Sequence, residues 1–218
     1  MPFWPSRIGV VIACAALAWQ PSSALAGEND VQLWIYSIAT GDLDEDTRLT
    51  IDFSARWREQ ARGDEQQTLR FNLDQEIDEG IRIGGGFGVF EAGGLTELRP
   101  HQQLTVARGR FAARSRIEQR FFDRADRMEL RFRQRIRYTQ PLSRAFSASV
   151  DGEYLGLIQT RNRGPDQARD QWRGRFILQY RARDDLSLGV SYLYIHTPQP
   201  LADDQNNHVT QAIMTYRF

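Results

Sequence analysis

Polar and apolar residues alternate with a period of two through most of this 218-residue chain, as they do in strands whose two faces meet different surroundings. Between Thr47 and Arg58, Leu49, Ile51, Phe53, Ala55 and Trp57 share one face, while Arg48, Thr50, Asp52, Ser54, Arg56 and Arg58 share the other. Between Met128 and Thr139, Met128, Leu130, Phe132, Ile136 and Tyr138 oppose Glu129, Arg131, Arg133, Arg135 and Arg137, and Gln134 is the one polar residue on the apolar face. Comparable segments fall at 31–39, 68–77, 81–91, 101–108, 111–122, 145–157, 171–183, 186–196 and 208–218, and no helical pattern interrupts them. The connectors are turn-rich and unequal, from Arg108-Gly109-Arg110 and Pro141-Leu142-Ser143 to polar stretches at 158–170 and 197–207. Short turns alternating with longer loops predict an all-β, antiparallel up-and-down transmembrane β-barrel. Eleven segments are visible, yet single-chain bacterial barrels have even strand numbers. The expected count is ten to twelve, with twelve favoured, because a periplasmic C-terminus otherwise leaves 31–39 running the wrong way.

The ends of the chain carry address signals. Arg7, the apolar stretch from Ile8 to Trp19, and Ala24-Leu25-Ala26 read as a secretory signal cleaved between Ala26 and Gly27. The barrel domain would then span 27–218, exported by a Sec-type route to the outer membrane of a Gram-negative bacterium. Val11-Ile12-Ala13-Cys14 loosely fits a lipoprotein cleavage box, but cutting there leaves too short a signal. Cys14 is the only cysteine, so cleavage at Gly27 leaves none for disulfides or thiolate metal sites. No later segment approaches the eighteen apolar residues of a membrane helix. The negative mean hydropathy does not oppose a barrel, whose lipid-facing residues come only every second position. Thr210, Ala212, Met214, Tyr216 and Phe218 share one face of the last segment, and Tyr216 and Phe218 form the expected signal for the barrel-assembly machinery. Tyr154, Trp172, Tyr180, Tyr192 and Tyr194 are expected to point outward, some in interfacial girdles.

Charge sharpens the picture of the inner face. The 28 basic and 28 acidic residues balance, and every basic residue is arginine, whose guanidinium pairs bidentately with carboxylates. Two-faced strands suit either a polar lumen with lipid outside or a dry core with water outside. A simple hairpin through 123–126 sets Arg120 opposite Glu129 and Glu118 opposite Arg131. A turn at Pro141–Ser143 that sets Thr139 opposite Ala145 makes Arg133 meet Asp151 and Arg131 meet Glu153, giving Arg131 an acid on each side. Such complementarity favours an inward ionic ladder. Its expected members are Arg114, Arg116, Arg120, Arg131, Arg133, Arg135, Arg137, Arg173, Arg175 and Arg181, with Glu118, Glu129, Asp151 and Glu153 as partners.

The chain also resembles the bacterial outer-membrane family catalogued as domain of unknown function 2490. The resemblance lies in Val31-Gln32-Leu33-Trp34, Arg99-Pro100-His101-Gln102-Gln103, Arg116-Ile117-Glu118-Gln119-Arg120-Phe121, Arg131-Phe132-Arg133, and Asn207-His208-Val209 leading to Tyr216-Arg217-Phe218. It implies a barrel of this size and no particular activity.

Other chemistry is thin. The histidines are His101, His196 and His208. His196 stands at an outer strand end, where a lipid hydrolase or acyltransferase would place its base, but Ser191 lies five residues earlier, on the opposite face and about 17 Å away. Asp42, Asp44, Glu45 and Asp46 read as a solvated turn more readily than as a cation site. Gly84-Gly85-Gly86 with Gly88 sits inside a strand, so it marks a bend or a close approach, not a phosphate loop. No cofactor is implied. Expected partners are outer-membrane lipid, the assembly machinery and small anions, not nucleic acid. The default expectation is an envelope structural or interaction role. The alternatives are a narrow anion-preferring channel and, third, a lipid-modifying enzyme.

Overall fold

The computed structural model describes residues 28–58, 65–163, 170–199 and 203–218. The signal segment with Cys14 and the Ala26/Gly27 junction lie outside the described residues. Eleven strands follow one another: β1 (Glu28–Asp42), β2 (Thr47–Trp57), β3 (Gln66–Asp78), β4 (Ile81–Ala92), β5 (Leu95–Arg108), β6 (Phe111–Phe122), β7 (Glu129–Pro141), β8 (Phe146–Gln159), β9 (Gln171–Arg181), β10 (Leu186–Thr197) and β11 (Gln205–Arg217). Each pairs with its sequence neighbour, and the sheet closes by pairing β1 with β11.

The count corrects the expectation of twelve. Among the described residues there are eleven strands, and an odd up-and-down series must bring its first and last strands together in the same direction. The seam is parallel from Glu28 opposite Gln205 to Thr40 opposite Arg217, so the barrel is antiparallel except there. The segment that ran the wrong way is β1 itself. β5 begins six residues earlier than its pattern indicated because Pro100 breaks the strand signal. The β5–β6 ladder is interrupted at Arg99 and Pro100, where proline has no N–H to donate.

The connections separate by end. The strand ends joined by 43–46, 79–80, 109–110, 142–145 and 182–185 meet at one end of the barrel, and those joined by 58–65, 93–94, 123–128, 160–170 and 198–204 at the other. All of the first group have four residues or fewer, whereas four of the second have six or more. The exception, Gly93-Gly94, turns with φ of 57° and 72° at its two residues, a geometry in which only glycine is unstrained.

Outside, the alternation leaves large apolar side chains bare. Val31, Ile35, Phe53, Leu73, Ile136, Val150, Val190 and Met214 are all exposed. Each would forgo roughly 1.5–3 kcal/mol of burial in water, so the outer surface fits hydrocarbon. Aromatic pairs mark both rims: Phe111 with Tyr138 and Phe146 with Tyr180, each at 5.0 Å, near the short turns, and Tyr154 with Trp172 at 4.7 Å near the long loops. Tyr216 and Phe218 also face outward. Gln134, the polar interruption of the outer face, accepts a hydrogen bond from Ser115 Oγ at 2.5 Å, and Gln119 donates to Gln102 at 2.8 Å, so these outward polar side chains engage one another.

Candidate functional site

The inner face divides into two walls. On β5 to β9 the inward positions are dominated by arginine and carboxylate. Glu118, 1% exposed, accepts from Arg131 Nε at 2.9 Å and Arg133 Nη1 at 2.7 Å, with Arg116 at 3.7 Å. Glu153 takes the other side of Arg133 at 2.7 Å and Arg114 at 3.0 Å. Asp151 is shared by Arg137 and Arg175, each at 2.9 Å. Toward the long loops, Glu97 holds Arg99 and Arg120, each at 2.7 Å, and Arg120 reaches on to Glu129. Arg133 and Arg120 each bridge two acids, and Glu97, Glu118, Asp151 and Glu153 each hold two or three guanidiniums, so the wall is made of linked clusters rather than a row of pairs.

The wall formed by β10, β11 and β1 is nearly uncharged. Trp34, Leu193, Ile195 and Val209 form a small buried apolar cluster with Tyr36 against it. Several of its polar groups pair: Ser191 donates to Gln211 at 2.6 Å, Trp34 Nε1 donates to Gln32 at 2.8 Å, and Gln32 donates to Asp30 at 2.5 Å, while Asp30 Oδ1 and Asn207 Oδ1 are buried with no partner among the described residues. The β2 to β4 arc joins the walls. There Arg70 pairs with Asp52, His101 bonds Asn72 at 2.8 Å, and Ser54 and Thr68 share a hydrogen bond of 2.7 Å. A side chain at Gly86 would collide with the Phe71 carbonyl and crowd His101, so the glycine run makes room for this polar layer.

Between the walls lies a cavity of about 470 Å³. Eleven arginines and four carboxylates line it. With Glu97 and Glu118 in the wall behind, six carboxylates face eleven guanidiniums, an excess of five positive charges in a chain whose formal net charge is zero. The cavity narrows toward the long loops. Asp30, Ser54, Thr68, Phe90, Leu155 and Val209, spread over six strands in that half, are no more than 2% exposed, which requires side chains packed across the lumen. The Arg99 guanidinium lies 3.6 Å from the Phe90 ring centroid and that of Arg56 lies 4.2 Å from Trp34.

Comparison with known proteins follows this geometry. The profile of the family described as protein of unknown function DUF2490 matches residues 31–213. The chain belongs to that family. No curated protein matches the sequence. Among solved structures this DUF2490 member is similar to the NanC porin, at 12% identity and a TM-score of 0.55, over 81% of this chain and 93% of that one. A KdgM porin aligns at 12% identity and a TM-score of 0.49, over 72% and 81%. The first likeness establishes a shared barrel fold.

The structure brings nine of the ten expected arginines of the DUF2490 barrel onto the inner wall. Arg181 is in phase with them but is the last residue of β9, exposed at the short-turn end, beyond the cavity that Arg173, Arg175 and Gln179 of the same strand line. All four expected acids are engaged. The β6–β7 register is as expected, Arg120 opposite Glu129 and Glu118 opposite Arg131. The β7–β8 register is not: Thr139 faces Ser149, Arg137 faces Asp151, Arg135 faces Glu153, and Arg131 faces Leu157. The reason is the turn. Ser143 Oγ accepts from the N–H groups of Ala145 and Phe146, which centres the reversal on 142–145, two residues beyond the expected turn at Pro141–Ser143. Arg133, not Arg131, is the residue with acids on both sides.

Arg56, Arg70, Arg99, Glu97 and Asp52 were not expected in the ladder. Phase with the polar face of β2 and β3 would have found Asp52, Arg56 and Arg70, whereas Glu97 and Arg99 lie in the part of β5 that Pro100 hid. The histidines stay apart: His101 is inward, His208 lies outside beside Tyr192 and Tyr194, and His196 faces away from Ser191. In the 43–46 turn Asp42 pairs with Arg48 at 2.7 Å. The Thr47 side chain and the N–H groups of Asp46 and Thr47 hold the Asp44 carboxyl below its ordinary range.

Proposed function

We propose that this DUF2490 barrel resides in the outer membrane and provides a narrow, anion-preferring pathway through its lumen. The observation that carries this reading is the excess of five guanidiniums facing the cavity. In a confined space bounded by hydrocarbon, such an excess concentrates anions and repels cations. Eleven strands enclose a bore between the side-chain-filled eight-stranded barrels and the wide sixteen-stranded porins. The apolar outside, the aromatic rims and the sorting of long loops to one end support the membrane setting. On this reading lipid covers the outer face, and Tyr216 and Phe218 are presented to the assembly machinery.

The test is single-channel recording of the full chain, folded in detergent and inserted into planar bilayers under a potassium chloride gradient. Discrete steps with a reversal potential displaced toward that of chloride are expected. Silence from folded protein, or preference for potassium, overturns the pathway. Heat-modifiable migration in outer-membrane fractions tests the location. A second reading, a closed barrel with an envelope structural role, draws on the packed long-loop half. It predicts that the wild type is silent and that Trp34→Ala with Phe90→Ala opens it.

A further inference from the structure

The arginines of the lumen are not equally engaged. Arg133 is held by two carboxylates, and Arg114, Arg137 and Arg175 by one each. Arg135 stands among them, in register between Arg114 on β6 and Glu153 on β8. The Glu153 carboxylate that faces it is already taken by Arg133 and Arg114. Among the described residues Arg135 makes no hydrogen bond or ion pair, although its side chain lines the cavity. A second orphan lies beside it: Arg114 Nε is buried with no acceptor. A fork of unfilled N–H donors and a neighbouring unfilled N–H therefore meet at one level of the lumen, with Arg137 two residues along β7 and Arg175 across Asp151.

We propose that Arg135, with Arg114 Nε, forms a binding site for an oxyanion, a carboxylate or phosphate group of a solute in the lumen. A planar guanidinium offers two parallel N–H groups that match the two oxygens of such a group. The ion pairs around it supply order: Arg114, Arg137 and Arg175 are fixed by their acids, so Arg135 is the one arginine of the group that gives up side-chain freedom on binding. A bare halide has no pair of oxygens for this fork and is held by charge alone. The proposal deepens the anion pathway by naming the chemistry selected at one point along it, and it rests on that reading only for the claim that solutes pass.

The experiment separates binding from passage. The full chain is folded in detergent micelles and titrated calorimetrically with inorganic phosphate and, in a second arm, with malonate. Wild type is expected to bind at least one of them, Arg135→Gln to lose about tenfold or more in affinity, as befits loss of charge-assisted hydrogen bonds, and Arg135→Lys to fall between. Arg181→Gln, in phase but exposed at the rim, is expected to bind like wild type. Phosphate alone, malonate alone or both identify the group. Equal affinity of Arg135→Gln and wild type, equal loss in Arg181→Gln, or no binding of either anion overturns the site. Removing an unpaired cation leaves no acid stranded, so Arg135→Gln is expected to fold, and heat-modifiable migration of all variants checks it. If the anions bind but bilayers stay silent, the pathway fails and the site stands.

Discussion

The two walls of the lumen are built on the same alternation and share the same apolar outside, yet they hold together by different physics. From β5 to β9 the inward side chains are long, charged and mutually neutralising, and the wall is a web of ion pairs around Glu118, Glu153 and Asp151. From β10 through the seam to β1 they are mostly apolar or uncharged, and the wall is a miniature core of Trp34, Leu193, Ile195 and Val209 with three buried hydrogen bonds. The difference teaches that a closed barrel does not need a uniform interior. Strand pairing closes the sheet all the way round, which frees the inner face to carry a charge imbalance on one side while the other side anchors the parallel seam.

The comparison breaks most sharply at Glu118. This carboxylate is 1% exposed and engages Arg131, Arg133 and Arg116. Glu118→Gln strands guanidiniums in a confined space and is expected to cost about 3–5 kcal/mol, as breaking buried pairs does, read as a lower urea midpoint of the detergent-folded protein. On the opposite wall Trp34→Ala removes the largest member of the apolar cluster and the ring beneath Arg56. About 3 kcal/mol is expected, with larger conductance steps because the ring stands in the narrow half. If Trp34→Ala proved the more damaging of the two, the ionic wall would be solvated and the contrast between walls would be lost.

What was legible before the fold follows from which face carries the signal. Where polar and apolar residues alternate most regularly, as in Phe111–Phe122 and Glu129–Pro141, the face assignment and the register between the two strands could be read, and the Glu118–Arg131 pairing with them. On β10 both faces are apolar around Tyr192, Leu193, Tyr194 and Ile195, so the neutral wall left no mark in the pattern. On β4 glycines replaced the polar face, hiding the layer around His101. The β7–β8 register depended on a serine side chain capping its own turn, a local choice that alternation does not encode. The parallel seam could have been inferred from an odd count taken at face value; the premise of even numbers removed it.

A smaller effect is expected at Ser191, the polar element of the neutral wall. Its Oγ donates to Gln211, which is 1% exposed, so Ser191→Ala leaves a buried amide oxygen short of a donor at about 1–2 kcal/mol. An equal loss from Ser191→Ala and Trp34→Ala would mean that the seam is held by hydrogen bonds and not by its apolar cluster.

The smallest effect tests whether charge matters here by its presence or by its place. Arg183 and Asp185 pair at 2.8 Å in the short turn between β9 and β10, with the arginine side chain 70% exposed. The contact distance matches that of the lumen pairs, yet water and salt surround it. An exposed pair of this kind contributes at most about 0.5 kcal/mol, so Arg183→Gln is expected to leave the urea midpoint almost unmoved at any salt concentration. Glu118→Gln, by contrast, should remain damaging in molar salt, because mobile ions screen the rim far better than a packed wall. Were the two substitutions to converge as salt rises, the network around Glu118 would be as wet as the turn, and the positive excess of the lumen would be screened along with it.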